Sequence, residues 1–122
     1  TYNSSLDAIK SSLEILGKEP SKRKIAVVGD ILEVGDYNKE IHENIGKLLL
    51  ENKLDIIVTI GTDTKYTDKY LEENNYTNYY HFNNESESHE KIKELLHEGD
   101  AVLFKGSHAI KLGNIVKYLM EE

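Results

Sequence analysis

The sequence predicts an α/β domain of the Rossmann-like type, with three layers, a mainly parallel sheet and helices on both faces. Strand-like and helix-like segments alternate along the chain, which is the order of βαβ units. The strand-like segments are continuous apolar runs without period-two alternation, as expected for strands buried on both faces. A chain of 122 residues is long enough for one core, so we expect a single domain over residues 1–122.

Five helices are predicted from apolar residues that recur at helical spacing. In chain order, these positions are Leu6, Ile9, Leu13 and Leu16; Ile41, Ile45, Leu48 and Leu49; Tyr66, Tyr70 and Leu71; Ile92, Leu95 and Leu96; and Leu112, Ile115, Val116 and Leu119. Ser4 with Asp7 resembles a capping box at the start of the first helix, and Gly17 followed by Pro20 supplies its stop. Gly99 closes the fourth helix.

Four strands are predicted from short apolar runs that are bounded by turn residues. They cover residues 25–28, 55–60, 78–82 and 101–104. Right-handed crossovers and the usual doubly wound layout favour the strand order 3-2-1-4. Ligands of open α/β sheets bind outside the carboxyl ends of strands where the chain reverses direction, here between the first and fourth strands. We therefore expect the loop that begins at Gly29 and the loop that begins at Lys105 to share one crevice.

The composition of the chain disfavours several classes of binding partner and site. The net charge is -7, with 15 Lys and Arg against 22 Asp and Glu, which disfavours duplex nucleic acid and anionic membranes. The sequence has no Cys, which excludes disulfides and thiolate metal sites. Apolar runs such as 56–60 are far too short to span a bilayer, and the amino terminus lacks the layout of a signal peptide. We expect a soluble, cytoplasmic, monomeric domain.

The first candidate site is the acidic loop after the first strand, which reads GDILEVGD at positions 29–36. Asp30 and Glu33 can accept hydrogen bonds from a ligand ammonium or hydroxyl, whereas Asp36 helps to start the following helix. A magnesium site is a poor fit because nothing on this loop cradles a phosphate. The alternative is a structural turn in which Asp30 bonds backbone amides, as Asp in turns often does.

The second candidate site is the segment FKGSHAIK at positions 104–111, where a strand end runs into a predicted helix. Unpaired amides and the positive end of a helix favour an anion there, and Lys105, Ser107 and His108 can all donate hydrogen bonds. The P-loop pattern is absent. The alternative is Ser107 as a helix N-cap with Lys105 in solvent. Carboxylates on one lip of a crevice and cationic donors on the other would suit a zwitterion such as an amino acid or a short peptide.

The remaining polar residues give weaker signals. The histidines at 42, 81, 89 and 97 show no metal-ligand spacing and are expected at the surface or at edges. The GTDT segment at 61–64 is expected to cap the helix that follows it, and no G-x-S-x-G elbow is present. We therefore assign no catalytic residue and no metal ligand, and expect the chain to be part of an enzyme.

Four segments together resemble, in order and spacing, the carboxyl-terminal domain of the Mur ligases, in particular those that add D-alanyl-D-alanine to UDP-N-acetylmuramoyl-tripeptide. They are TYNSSLDAIKSSLEIL, IAVVGDILEVGDYNKEIHENIG, DIIVTIG and VLFKGSHAIKLGNIV. The most specific part is the Gly-Asp-x-x-Glu-x-Gly loop in combination with the Lys-Gly-Ser loop. The resemblance runs through nearly the whole chain.

The resemblance implies the third domain of a three-domain, ATP-dependent ligase of peptidoglycan synthesis, with the P-loop and magnesium ligands in a central domain outside this sequence. It implies that the dipeptide binds to Asp30, Glu33, Gly35, Lys105, Gly106, Ser107 and His108. It also implies that Tyr2 and Asn3 contact the adenosine end of ATP. We expect the isolated chain to be inactive as a ligase and to bind neither ATP nor Mg²⁺ tightly.

The sequence departs from the family at several positions. Ser5 and Leu6 stand where the family has Asn and Pro, and His108 stands where it has Arg. An imidazole is mostly neutral above about pH 6.5, so a bound carboxylate would depend more on Lys105 and Ser107. Two alternatives stay open, namely the same domain of another Mur-type amino-acid ligase and a stand-alone flavodoxin-like or receiver-like signalling module.

Overall fold

The computed structural model describes residues 2–32 and 34–105, together with the backbone of residues 116–121. In chain order its elements are α1 Tyr2–Gly17, β1 Lys24–Gly29, a 3₁₀ turn Gly35–Tyr37, α2 Asn38–Glu51, β2 Ile56–Ile60, α3 Lys65–Glu73, β3 Tyr79–Phe82, α4 Glu85–Leu95, β4 Asp100–Lys105 and β5 Val116–Glu121. Among the described helices, none combines the length and apolar character that a membrane crossing requires.

The sheet is parallel throughout, and its strand order is β3-β2-β1-β4-β5. The four predicted strands and their order 3-2-1-4 are therefore confirmed. β1 is central and pairs with β2 on one side and with β4 on the other. This arrangement places the ends of β1, β2 and β4 at one edge of the sheet, where the candidate loops begin.

The prediction of a helix at 112–119 is wrong from residue 116 onwards, because β5 extends the sheet beside β4. The paired positions run from Ala101 opposite Tyr118 to Phe104 opposite Glu121. This pairing satisfies the outer backbone groups of β4, which a helix would leave without partners. An apolar run this short fits either period, so its spacing alone did not separate strand from helix. Residues 112–115 lie outside the described part of the chain.

Helices cover both faces of the sheet, as predicted. On one face, residues of α1, α2 and α3 pack against alternate residues of β1, such as Ala26 and Val28. On the other face, Ile92 of α4 packs against Ile25 and Val27. β1, β2 and β4 therefore contribute buried residues to the core on both faces, which explains why their sequences are apolar without alternation.

The start of α1 and the inner face of α3 differ from prediction. α1 begins at Tyr2, so Ser4 lies inside the helix and the predicted capping box is wrong. Tyr2 packs at the margin of the core, which extends the helix by about a turn. In α3, Tyr66 is 37% exposed, whereas Thr67, Asp68 and Leu71 are buried. Thr67 and Asp68 can be buried because hydrogen bonds satisfy their side-chain polar atoms.

A buried ion pair joins the starts of β1 and β4. The Asp100 carboxylate is 3% exposed, and its Oδ1 atom lies 3.1 Å from Arg23 Nε. Arg23 Nη2 donates to Asp100 Oδ2 at 3.1 Å and to the Leu95 carbonyl at 2.7 Å. The His97 backbone N–H also donates to Asp100 Oδ2, at 2.7 Å. One carboxylate thus holds together β4, the residue before β1 and the end of α4.

Candidate functional site

The two candidate loops begin at neighbouring strand ends. Lys105, the last residue of β4, lies opposite Val28 in the sheet register, one residue before Gly29 ends β1. Adjacent strands lie about 4.8 Å apart, so the acidic loop and Lys105 begin at neighbouring positions of the sheet edge; a crevice shared by the two loops stays a prediction. Lys105 is half-buried. Gly106, Ser107 and His108 lie outside the described residues.

The Asp30 carboxylate caps the amino terminus of α3. Its Oδ2 atom accepts a hydrogen bond from Thr62 N–H at 3.0 Å, and its Oδ1 atom accepts from Asp63 N–H at 3.0 Å and Thr64 N–H at 2.9 Å. These amides precede or begin a helix, where unpaired N–H groups and the helix dipole favour a negative charge. The structural alternative for Asp30 is therefore confirmed, although a ligand contact by the same side chain stays a prediction.

The direction of the Asp30 side chain corrects an expectation. The residue was expected to face the loop after β4, but its carboxylate is turned to the loop after β2, on the opposite side of β1. Three backbone N–H groups in that loop, at the positive end of α3, hold the carboxylate in this direction. The GTDT segment therefore does not cap α3 through its own side chains, since no side-chain cap bond is found at Thr64.

Gly61 makes room for the Asp30 carboxylate. Its φ of +124° is strained for a residue with a side chain, and a Cβ atom added there would lie 2.4 Å from Asp30 Oδ1. That distance is well inside van der Waals contact. The glycine at the end of β2 is thus required both by backbone conformation and by the close approach of a neighbouring strand's side chain.

His42 fixes the next residue of the acidic loop. Its side chain is fully buried, with 0% exposure, so the expectation of a surface position is wrong. Nε2 accepts a hydrogen bond from Ile31 N–H at 3.1 Å, and Nδ1 lies 2.7 Å from the Asn38 carbonyl oxygen. A sequence signal for burial existed, because position 42 shares the apolar face of α2 with Ile45 and Leu49 at spacings of three and seven.

Of the other described residues of the acidic loop, Leu32, Gly35 and Asp36 are exposed, whereas Val34 is half-buried against the core. Leu32 is 73% exposed, and Glu33 lies outside the described residues. Gly35 begins the 3₁₀ turn with a φ of +55°, a conformation that favours glycine. Asp36 is exposed in the first turn ahead of α2, where its charge suits the positive end of the helix.

The two residues predicted to contact a nucleotide lie at the start of α1, near the same edge of the sheet. The Tyr2 hydroxyl accepts a hydrogen bond from Asn44 Nδ2 at 2.8 Å, and its ring contacts the Tyr37 ring edge-on at a centroid distance of 5.5 Å. Asn3 is exposed. Tyr2 is therefore held by packing, whereas the Asn3 side chain is accessible to a ligand.

The sequence matches a known protein family over most of its length. The family described as "Mur ligase, glutamate ligase domain" matches residues 1–108, a range that includes the acidic loop and the second candidate segment as far as His108. The chain belongs to this family. The resemblance stated from the sequence is thereby confirmed, and a stand-alone signalling module is excluded.

Several curated relatives of this Mur ligase domain share the name UDP-N-acetylmuramoyl-tripeptide–D-alanyl-D-alanine ligase. The relative from Synechocystis sp. is 32% identical over 122 residues, covering 100% of this chain and 27% of the relative. The one from Rickettsia prowazekii is 31% identical over 117 residues, covering 96% and 26%, and that from Bacillus subtilis is 30% identical over 125 residues, covering 98% and 27%. The chain spans about a quarter of the length of these relatives.

The Mur ligase domain also contains a buried polar cluster that the sequence analysis missed. Thr59 Oγ1 donates to Asp68 Oδ1 at 2.6 Å, and Asp68 Oδ2 lies 2.8 Å from His81 Nδ1. The cluster joins β2, α3 and β3. The signal was present, because Thr59 is a polar residue in a strand buried on both faces, and such a residue requires a partner. His81 is half-buried and is thus placed between surface and core.

The charge of Asp68 is expected to make stability depend on pH. Burial raises the pKa of this carboxyl above its ordinary value of 3.8, although Thr59 and His81 act in the opposite direction. Between 3.8 and the raised value, the folded protein keeps a proton that the unfolded chain has lost, so stability falls as pH rises through that window. We expect Asp68→Asn to lack this contribution to the pH dependence of stability, because an amide does not titrate in this range.

Urea unfolding of the wild type and Asp68→Asn across this pH range measures the effect. The difference between their free energies of unfolding should move in favour of Asp68→Asn as pH rises, and then become constant. A difference that is independent of pH, or that moves in favour of the wild type, would contradict the assignment.

Metal ligands were not predicted in this sequence. Over residues 2–32 and 34–105, no group of three or more His, Asp or Glu side chains is arranged to hold a metal ion. The acidic loop, whose Asp30 carboxylate is occupied by backbone amides, does not form such a group among these residues.

Proposed function

We propose that this Mur ligase domain is the carboxyl-terminal, substrate-binding and closing domain of the cytoplasmic, ATP-dependent ligase that adds D-alanyl-D-alanine to UDP-N-acetylmuramoyl-tripeptide in peptidoglycan biosynthesis. Relatives with that ligase name match almost the whole chain. The observation that supports the proposal is that the acidic loop and Lys105 lie at the ends of the adjacent strands β1 and β4.

The proposed dipeptide site uses opposite charges on the two loops. The ammonium of the dipeptide would lie at the acidic loop, near Asp30, Glu33 and Gly35. Each carboxylate oxygen has about two lone pairs, and Asp30 Oδ2 accepts one described backbone hydrogen bond. That oxygen therefore retains capacity to accept from an ammonium while Oδ1 remains committed to the cap.

The carboxylate of the dipeptide would lie at the loop after β4. The amides at the start of α3 are taken by Asp30, which removes that helix end as a competing anion site. Lys105 supplies a positive charge at the end of β4, and Gly106, Ser107 and His108 are proposed to complete the site. A neutral imidazole at His108 would donate one hydrogen bond where the family's Arg donates two.

ATP and Mg²⁺ belong, in this proposal, mainly to domains that precede the chain in the complete ligase. Asn3 is exposed and can contact the adenosine end of ATP, with Tyr2 as its packed neighbour. UDP-N-acetylmuramoyl-tripeptide would be held by the other domains of the same chain. The isolated domain is therefore proposed to be monomeric, inactive as a ligase and free of tightly bound cofactor.

Titration of the ¹⁵N-labelled chain with D-alanyl-D-alanine, followed by NMR, tests the proposal. We expect the amide signals of Asp30, Gly35 and Lys105 to shift with dipeptide concentration, because the ligand bridges both loops. The signal of Ile92, on α4 at the opposite face of the sheet, serves as the internal control and should not move.

Two further titrations decide the substrate class. L-alanyl-L-alanine should produce much smaller shifts, since it presents its methyl groups with the opposite stereochemistry. Glutamate tests the related single-amino-acid ligases. Shifts with glutamate and none with D-alanyl-D-alanine would assign the domain to such a ligase instead, and shifts with neither would leave the acidic loop as a structural turn.

A further inference from the structure

The acidic loop is held within a closed circuit of hydrogen bonds. The Asp30 side chain bonds the amides that begin α3. Thr67, one turn into α3, donates from Oγ1 to the His42 carbonyl of α2 at 2.6 Å. The His42 ring then returns to the loop by accepting from Ile31 N–H at 3.1 Å. Asp30 and Ile31 are consecutive, so the circuit closes on a single peptide unit at the start of the loop.

The His42 ring has a defined proton arrangement in this circuit. A backbone carbonyl can only accept, so Nδ1 must carry the proton that is donated to the Asn38 oxygen. A backbone N–H can only donate, so Nε2 must present its lone pair to Ile31. Both ring nitrogens are used, and the side chain has no exposed surface. His42 therefore has no group left to touch a substrate.

A histidine costs more free energy to bury than an aliphatic residue, because its ring nitrogens need hydrogen-bond partners. Packing alone therefore does not explain a histidine at this position. Ile41, Ile45 and Leu49 already supply the apolar face of α2, and an aliphatic residue at position 42 would need no hydrogen-bond partner. An aliphatic residue would, however, leave Ile31 N–H without its acceptor at the point where the chain leaves β1. The feature that only His42 supplies here is the position of that amide.

We infer that His42 is a positioning residue for the dipeptide, acting through Ile31 to set the direction in which the acidic loop leaves β1. The inference rests on the proposed function, because the dipeptide is the ligand that this loop is proposed to bind. His42 fixes the Ile31 amide from the α2 side while the α3 amides fix Asp30 from the other. Together they hold the proposed ammonium site in place before the ligand arrives.

Two substitutions at position 42 test the roles of the two ring nitrogens separately. Gln places an amide oxygen near the position of Nε2, so His42→Gln retains an acceptor for Ile31 N–H. Asn reaches only to the position of Nδ1, so His42→Asn retains the donor to Asn38 and loses the acceptor. Loss of the Nδ1 bond leaves the Asn38 carbonyl satisfied, because it also accepts the ordinary helical bond from the N–H of residue 42.

The dissociation constant for D-alanyl-D-alanine and the hydrogen-exchange rate of Ile31 N–H, both measured by NMR on the 122-residue chain, test the inference. We expect His42→Asn to weaken binding about tenfold, as for a modest misplacement of a binding group, and to speed exchange at Ile31. His42→Gln should return both quantities towards the wild-type values. Because NMR follows the folded molecules, a smaller folded fraction does not alter the dissociation constant.

Ile92→Val provides the matched control, since it removes a methylene from the core on the opposite face of the sheet and lowers stability without touching the circuit. Binding as tight in His42→Asn as in the wild type would overturn the inference. Equal weakening in Ile92→Val would also overturn it, because stability alone would then explain the loss. Absence of dipeptide binding by a wild type whose Ile31 amide is protected would instead overturn the proposed function, and with it the substrate named here.

Discussion

Asp100→Ala is expected to lower the free energy of unfolding by about 3 kcal/mol, the lower end of the range for removing one partner of a buried ion pair. The substitution removes the carboxylate that pairs with the Arg23 guanidinium and accepts from the His97 N–H, and it leaves Arg23 with the Leu95 carbonyl as its other acceptor. The Arg23 side chain is 32% exposed, so water can hydrate part of its charge, and this places the loss at the lower end. The effect should appear as a lower midpoint in urea unfolding.

Glu94→Ala is the control for this prediction. Glu94 forms an ion pair with Lys91 at 3.8 Å on the surface of α4, and its side chain is 71% exposed. Exposed pairs contribute about 0–1 kcal/mol, so the control should change stability little. Losses of similar size in the two variants would show that the junction of β1, β4 and α4 does not depend on the buried carboxylate.

Gly61→Ala is expected to destabilise the domain by about 3 kcal/mol, as the sum of backbone strain of about 1–3 kcal/mol and a lost cap of about 1 kcal/mol. The new Cβ atom would lie 2.4 Å from Asp30 Oδ1 unless the carboxylate moves away. Movement of the carboxylate would release the amides of Thr62, Asp63 and Thr64. Gly17→Ala is the matched control, since no atom lies within 4 Å of its added Cβ.

A double-mutant cycle separates the clash from the backbone strain. Asp30→Ala removes both the cap and the atoms that the new Cβ would meet. In the Asp30→Ala background, Gly61→Ala should therefore destabilise the domain less than it does in the wild type, with a coupling energy of about 1 kcal/mol. Additive effects of the two substitutions in urea unfolding would mean that the carboxylate does not need the space at Gly61.

The strand order was predictable because the physical signal was strong and local. β1, β2 and β4 are continuous apolar runs, and rules of crossover handedness then leave few parallel arrangements. β5 was missed because its residues fit a helical spacing as well as a strand. Its assignment as a strand depends on pairing with the outer edge of β4. The spacing of apolar residues within 116–121 carries no information about this distant partner.

The neighbouring positions of the acidic loop and Lys105 were predictable, whereas the contacts that the acidic loop makes were not. Strand order alone brought the acidic loop and Lys105 to one edge. The direction of Asp30 depends on three amides that follow a different strand, more than thirty positions along the chain. The burial of His42 depends on Ile31 N–H, a backbone group whose need for an acceptor is invisible in the residue types. Tertiary hydrogen bonds therefore determine the direction of the Asp30 side chain and the burial of His42, which the local sequence pattern does not specify.

The central position of β1 has a consequence for how the domain folds. β1 pairs with β2 after one helical connection, whereas its other neighbour β4 follows two further βα units, with Lys24 opposite Ala101. Contacts between residues so far apart in sequence are slow to form because the intervening chain must be ordered first. We therefore expect the β1–β2 half of the sheet to form early and the pairing of β1 with β4 to form late. During synthesis, the acidic loop would thus be made well before Lys105 takes its place beside β1.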